Sequence, residues 1–351
     1  MGISKKTKAF KAKINRFKKA IGEAADSKWD AFAIAVDLLY CRMRFQVERE
    51  EYFKYKFYNF KNRYRKDFIL NCHRVKKYRN ITTPGFTGSK YFFYKRIPDL
   101  FQREMTVAPF CGEEAFVEFL KKHKTIIVKP DTGSAGHGVE KVEYTNDEMA
   151  KQIFAAFTPK VPMICEEYIR QHSVLNELNS SSVNCIRIAS LLRDGEVEIL
   201  SATLKMGLYS DSITDNMSRG GLGAQVDVET GIVCSFGRDF KMDPYSHHPV
   251  TGTQIIGLQI PNWDLAIDTV KKAHLRLPQC LIYGWDIAIT ETGVDIVEAN
   301  NRPGSRIMQI IDGIPRGKTV IPLIQKDRLK GKRTREGLER DYEKAVAPEN
   351  T

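Results

Sequence analysis

Two β-rich runs, residues 282–290 and 294–299, meet around Gly293, and a link that short folds the chain back on itself as an antiparallel hairpin. A second pair of the same kind, residues 186–192 and 197–204, flanks Asp194-Gly195. Residues 125–129, ending at Pro130, residues 162–169 and residues 226–233 add further expected strands, and residues 263–277 read as an amphipathic helix. Antiparallel strands with a few interspersed helices place the chain in the α+β class.

The Gly293 hairpin also carries acids. Glu298 and Asn300 are two apart on one strand and so point to the same face, while the turn brings Asp286 alongside from the preceding strand. The neighbours Ile296, Val297 and Ala299 mark a largely buried strand, where unpaired acids are costly. Three hard oxygen donors of this kind suit Mg²⁺, which takes few protein ligands and completes its octahedron with water and phosphate oxygens. Upstream, Lys129 ends a strand and is followed by a loop with Gly133, Ser134, Gly136 and Gly138, whose backbone N–H groups can lie over phosphates. It is neither a Walker A loop nor a GxGxxG fingerprint. His137 reads as a polar loop residue facing water rather than a base, and His247-His248 as neither ligand nor base.

Charge is unevenly distributed. Residues 1–80 hold 22 Lys/Arg and 8 Asp/Glu, a net of +14, so the remaining residues of this +12 chain sum to −2. Residues 4–21 read as a basic amphipathic helix with Phe10, Ile14, Phe17 and Ile21 on one side and Gly22 as its stop. A second helix starts at the N-cap Ser27, with Asp30 three residues on, and is expected to turn Trp29, Phe32, Val36, Leu39 and Tyr40 towards a core. Residues 50–78 interleave aromatic and basic side chains. Single-stranded nucleic acid could stack on such a segment, but the favoured reading is a helix pair with its rings inward, and nucleic acid is not an expected partner. Residues 326–351 are a charged surface helix or frayed tail.

No apolar run reaches the roughly 18–20 residues of a membrane span, and no secretory leader is evident. Seven scattered cysteines without a CxxC pair read as reduced, mostly buried thiols, which points to the cytoplasm.

The order of these pieces resembles the ATP-grasp superfamily: lysine strand and glycine loop, then a hinge strand, then Asp…Glu-x-Asn. The hinge matches Met163 through Ile169, including Glu166 and Glu167, and Lys90 in Gly88-Ser89-Lys90-Tyr91 stands where the family places its first nucleotide-binding lysine. The stretch from Gln171-His172 to Ile188 and the aromatics of residues 52–58 look like the sugar-transfer-associated branch. The resemblance covers roughly residues 30–325, and it departs from well-known ligases in lacking a Rossmann-like N-terminal domain. It implies an α+β ATP-grasp fold, two α+β subdomains clamping ATP, with residues 86–168 as the smaller, 169–325 as the larger, 1–85 as a basic helical region and 326–351 as the tail. It implies ATP and Mg²⁺ as cofactors, with Lys90 and Lys129 on the α/β-phosphates beneath the glycine loop, and Glu166, Glu167 and the Ile169 backbone on adenine and ribose. It implies metal ligation by Asp286, Glu298 and Asn300. Arg187, Lys205, Arg219 and Arg302 would then form a cationic site for the transferring phosphoryl group and substrate, with Asn216, Gly220 and Ser305 lining it.

The expected reaction is attack of a small-molecule carboxylate on ATP to give an acyl phosphate, then capture by an amine or amino sugar, in cell-surface polysaccharide or glycoconjugate synthesis. A small-molecule kinase and a basic surface-binding protein with a vestigial ATP site are the alternatives. An anionic membrane surface at the cytoplasmic face is the expected partner of residues 4–21.

Overall fold

The computed structural model describes residues 15, 18–59, 65–70, 89–132, 138–209, 215, 217, 220–239, 242–278, 280, 282–300, 304, 307–311, 313–318 and 320–322. Most of the basic segment (residues 4–14, 16 and 17) and the 326–351 tail fall outside this set. The chain divides into two compact units, residues 1–79 with 313–325, and residues 80–312 with 326–351. Among the described residues no helix is long and apolar enough to cross a membrane, and no disulfide is formed among the described cysteines.

In the first unit, residues 18–24 are helical. Gly22 is inside that helix and does not stop it. A glycine costs a helix only about 1 kcal/mol relative to alanine, and the Lys19–Glu23 pair spans the position. Helix α1 (Lys28–Phe45) begins as its cap requires, with Ser27 Oγ accepting from the Asp30 amide at 3.1 Å. It ends at Gln46, in the left-handed region at φ 57°. Its inward face is Ile34, Leu38 and Cys41. Trp29, Phe32, Val36, Leu39 and Tyr40 are instead exposed, Trp29 by 84%, which reverses the expected orientation. The helix is apolar on two opposite sides, and the side that meets Tyr52 and Arg65 is the one buried: Asp37 accepts from the Tyr52 hydroxyl and from Arg65, both at 2.6 Å. Helix α2 (Arg49–Lys54) opens with a Glu48/Glu51 capping box. Among the described residues, the rest of the aromatic segment does not form the second helix of a pair. Its described part is turns and a short 3₁₀ helix (Arg65–Asp67) that fold Tyr52, Tyr55, Phe57 and Phe68 into one buried ring cluster.

The second unit contains two antiparallel sheets. Helix α3 (Lys90–Arg96) leads into β1 (Met105–Ala108), α4 (Glu113–His123), β2 (Thr125–Pro130), β3 (Glu140–Glu143), α5 (Asp147–Ala155) and β4 (Met163–Glu167). These strands form a sheet in the order β1-β4-β2-β3. Phe116, Val117 and Leu120 from α4 and Ala150 from α5 bury its Ile126, Val128 and Cys165. After α6 (Ser173–Asn176) come β5 (Ile186–Arg193), β6 (Glu196–Met206), β7 (Leu222–Val226), β8 (Gly237–Arg238), β9 (Pro244–Tyr245), α7 (Trp263–Arg276), β10 (Ile282–Thr290), β11 (Gly293–Asn300) and α8 (Ile307–Ile310). The second sheet runs β11-β10-β5-β6-β7-β8-β9.

Asp194 and Gly195 both take positive φ, 53° and 88°, as a two-residue type I′ hairpin demands. Gly293 is the first residue of β11 rather than the turn itself, which falls on Glu291-Thr292. The strand expected over 226–233 ends at Val226, because the Asp227 carboxylate accepts from the amides of Glu229 and Thr230 and turns the chain. Helix α7 covers one face of the large sheet, packing Trp263, Ala266, Val270 and Ala273 on Ile186, Ile188, Ala202, Leu204, Trp285 and Ile287. Alternation along the strands leaves Arg187, Thr203, Lys205 and Asp286 on the other face.

Candidate active site

That other face carries a polar row. Glu298 on β11 stands opposite Asp286 on β10, Asp286 opposite Arg187 on β5, Arg187 opposite Thr203 on β6, and Thr203 opposite Gln225 on β7. Residues directly opposite on an antiparallel pair share a face. Lys205 lies two residues beyond Thr203, and Asn300 two beyond Glu298, so both join the same surface. A register shift makes this possible. Asp286 pairs with Glu298 but Ile287 pairs with Ile296, leaving Val297 as the extra residue of a β-bulge. Strict alternation would put Glu298 on the same side as Ile296, which is in the apolar core; the bulge turns Glu298 and Asn300 to the polar side.

The centre of the row is an ion cluster. Arg187 grips Asp286 with two parallel bonds, Nε to Oδ1 at 2.6 Å and Nη2 to Oδ2 at 2.8 Å. Lys205 Nζ is 3.4 Å from the same carboxylate and 3.0 Å from Asp215 Oδ1. Burial pushes the Asp286 carboxyl up, but Arg187 and Lys205 outweigh it and hold it at about 2. Burial alone would loosen the protons of Arg187 and Lys205; Asp286 reverses this for the arginine, and Asp215 with Asp286 for the lysine. Asp286, Arg187 and Lys205 are therefore charged at neutral pH.

A second cluster lies on β2, β4 and the chain before β1. Lys129 Nζ meets Glu166 Oε1 at 2.6 Å, and Arg103 Nε meets Glu166 Oε2 at 3.2 Å. Arg103 Nη1 also reaches Asp295 Oδ1 at 2.8 Å, and its guanidinium donates to the carbonyls of Ile296 and of the bulged Val297. Burial raises the Glu166 carboxyl, and Arg103 and Lys129 together overcome that and keep it ionised. Glu166, expected to help hold adenine and ribose, is thus paired with two cations. Glu167, on the same strand, is half-buried and near His123; the Ile169 side chain is also half-buried.

Lys90, at the start of α3, donates to the Pro130 and Asp131 carbonyls, and Asp131 Oδ1 caps the helix through the Tyr91 amide. Burial lowers the Lys90 ammonium below its ordinary value; Glu298 pulls it back up and Lys129 pushes it down again. Lys129, Glu166 and Glu298 thus all act electrostatically on Lys90. Gly138 has φ 70°, and a Cβ there would meet the Pro130 ring at 3.1 Å, so the end of the glycine loop is built for glycine. Gly220 is described too, at φ 99°. Gly133, Ser134, Gly136, His137, Asn216, Arg219, Arg302 and Ser305 lie outside the described residues.

Sequence reasoning missed Arg103, Asp295, Asp215, Thr203 and Gln225. Arg103 offers no local signal: its partner Glu166 is 63 residues away. Thr203 and Gln225 could have been found by extending the alternation from Lys205 and pairing β6 with β7. The segment from Gln171 to Asn184 proves to be a brace. Gln171 donates to the Asn179 and Ser182 carbonyls and accepts from the Asn184 amide, and Asn184 accepts from the Gly207 amide, which secures the chain just before Arg187 and just after Lys205. His248 is buried with Nε2 2.8 Å from the Gly207 carbonyl oxygen, so it too is structural.

Asn300 Nδ2, Thr203 Oγ1 and Gln225 Oε1 are buried without a hydrogen-bond partner. Three such atoms on one polar face mark a surface that a polar ligand would satisfy. Among the described residues no three His, Cys, Asp or Glu side chains cluster into a metal cage. Glu298, Asn300 and Asp286 are oxygen donors on one face, the donor type that suits a hard cation taking its remaining ligands from water and phosphate, as Mg²⁺ does.

The sugar-transfer associated ATP-grasp family model matches residues 97–315. The chain belongs to this family. Its two antiparallel sheets with flanking helices are the α+β ATP-grasp fold. Among solved structures, D-alanine–D-alanine ligase from Bacillus anthracis is similar at 13% identity and a TM-score of 0.39, over 69% of this chain and 67% of that one. The corresponding ligase from Helicobacter pylori shows 14% identity and a TM-score of 0.42, over 69% and 61%. The ATP-grasp ligase PsnB, in complex with a minimal precursor, Mg and ADP, shows 14% identity and a TM-score of 0.40, over 68% and 59%. The chain thus spans 59–67% of these proteins' lengths. No curated protein matches it.

Proposed function

We propose that this protein is an ATP- and Mg²⁺-dependent ligase that activates a small-molecule carboxylate as an acyl phosphate and joins it to an amine or amino sugar, in the assembly of cell-surface polysaccharide or glycoconjugate. The supporting observation is the polar row, in which the acids Glu298 and Asp286 stand beside the cations Arg187 and Lys205 on the face opposite the core.

Lys90 and Lys129 hold the ATP phosphates under the loop of Gly133, Ser134, Gly136 and Gly138. With Glu166 committed to Lys129 and Arg103, the base is held by the Ile169 backbone and the ribose by Glu167, while Glu166 orients Lys129. Glu298, Asn300 and Asp286 would hold the magnesium, which when bound neutralises the charge on the transferring phosphoryl group. Arg219 and Arg302 orient the substrate carboxylate in line with the γ-phosphorus, the guanidinium fork matching its two oxygens, while Arg187, its fork on Asp286, adds positive charge beside the transferring phosphoryl group. A carboxylate oxygen attacks that phosphorus and ADP departs. The amine then attacks the acyl carbon, the phosphate leaves, and the amine proton passes to solvent. No covalent nucleophile of the protein is required.

Incubation with ATP, Mg²⁺, candidate carboxylates (amino acids, then uronic acids) and hydroxylamine tests this. The expected result is carboxylate-dependent ADP release with a hydroxamate product. A stable phosphoester formed on a sugar alcohol, without hydroxamate, would replace the ligase by a kinase.

A further inference from the structure

Helix α1 of the first unit has a face that none of that unit's described residues covers. Trp29, Phe32, Val36, Leu39, Tyr40 and Met43 are each at least 50% exposed, and Met43 is 72% exposed. At about 100° per residue, these six positions fall within an arc of about 100°, on the side of the helix opposite Ile34, Leu38 and Cys41. From Trp29 to Met43 the stripe is about 21 Å long at about 1.5 Å per residue. No charged residue lies within the arc. Lys28 and Arg42 border it on one side and Arg44 on the other, and all three are exposed. The helix's acids fall outside it: Asp30 accepts from the Asp26 amide at the cap, and Asp37 is neutralised by Arg65. A continuous apolar face of this extent is not normal for a surface that meets only water.

Charge selects the occupant. Residues 1–80 carry +14 while the rest of the chain carries −2, so a second copy docking by this face would bring two strongly cationic regions together. An anionic surface is complementary, and Trp29 and Tyr40 are the amphipathic rings that settle at headgroup depth. We propose that α1 lies in the plane of an anionic lipid bilayer, with Trp29, Phe32, Val36, Leu39, Tyr40 and Met43 in the headgroup–acyl boundary and Lys28, Arg42 and Arg44 against lipid phosphates. The inference goes beyond the ligase reading and does not depend on it.

The test is flotation of the full-length protein with vesicles of phosphatidylcholine alone or mixed with phosphatidylglycerol, comparing wild type with the double variant Val36→Asp/Leu39→Asp. Both positions are exposed, so the variant is expected to keep its circular dichroism and its ATP turnover in lipid-free buffer. Wild type is expected to float with the mixed vesicles, more weakly at high salt, and the variant to bind at least about tenfold more weakly. Brominated lipid should quench wild-type tryptophan fluorescence and leave Trp29→Phe unquenched, since Trp263 and Trp285 are buried. Equal flotation of wild type and variant, or no flotation of wild type, overturns the proposal. So does a lipid-free dimer that the double variant abolishes, since that would put a second copy on the stripe.

Discussion

Replacing Arg187 by methionine isolates the electrostatics at the centre of the site. Asp286 is 6% exposed and its carboxyl is held at about 2 instead of 3.8. A depression of that size corresponds to about 2–3 kcal/mol of stability. Because the folded value is the lower one, this stability is complete above about pH 4 and is lost as the pH falls through about 2. Leaving a buried charge wholly unpaired costs about 3–5 kcal/mol. Arg187→Met does not go that far, since Lys205 remains 3.4 Å from Asp286. The expected loss at neutral pH is therefore about 2–3 kcal/mol. With its main partner gone, Asp286 should also protonate at a higher pH, so acid unfolding should begin earlier than in wild type. Asp286→Leu alone leaves Arg187 without its carboxylate, whereas Arg187→Met/Asp286→Leu removes both charges. The double variant should recover at least about 1 kcal/mol relative to the sum of the single losses, while ATP turnover stays absent in all three. Urea titrations from pH 7 down to pH 3 measure each quantity. An Arg187→Met protein as stable as wild type, or strictly additive losses in the double variant, would refute this account of the cluster.

Two further outcomes concern the nucleotide side. Glu298→Gln and Asn300→Ala should each abolish Mg²⁺-dependent ATP turnover while leaving the thermal melting curve close to that of wild type, because both side chains sit at the half-exposed end of β11; normal turnover in either removes the metal assignment. Burial and Lys129 depress the Lys90 ammonium, so its charge is lost as pH rises through a value below 10.5. ATP-dependent kcat/KM should then fall on an alkaline limb that Lys90→Arg, permanently charged, eliminates; a limb that survives the substitution assigns it to another group.

Much of this was legible along the chain because it rests on local chemistry. Ser27 and Asp30 specify a helix start through one side-chain bond, and Asp194-Gly195 specifies a hairpin because those residues tolerate positive φ. The acids on β10 and β11, the lysine strand and the glycine loop name a phosphate-and-metal chemistry by residue type alone, and their order identifies the family. What the sequence could not decide was which partner each group meets. Helix α1 has two apolar sides with nearly equal claims on a core, and only the packing of Tyr52 and Arg65 shows which is buried. Alternation assigns Glu298 to the side of Ile296, and only the unpaired Val297 between β10 and β11 turns it towards Asp286. That Glu166 meets Arg103 could not be read locally, since the two are 63 residues apart in sequence. Capping and turn formation are decided within a few residues of backbone. Burial, register and ion pairing are decided by groups that only the folded chain brings together.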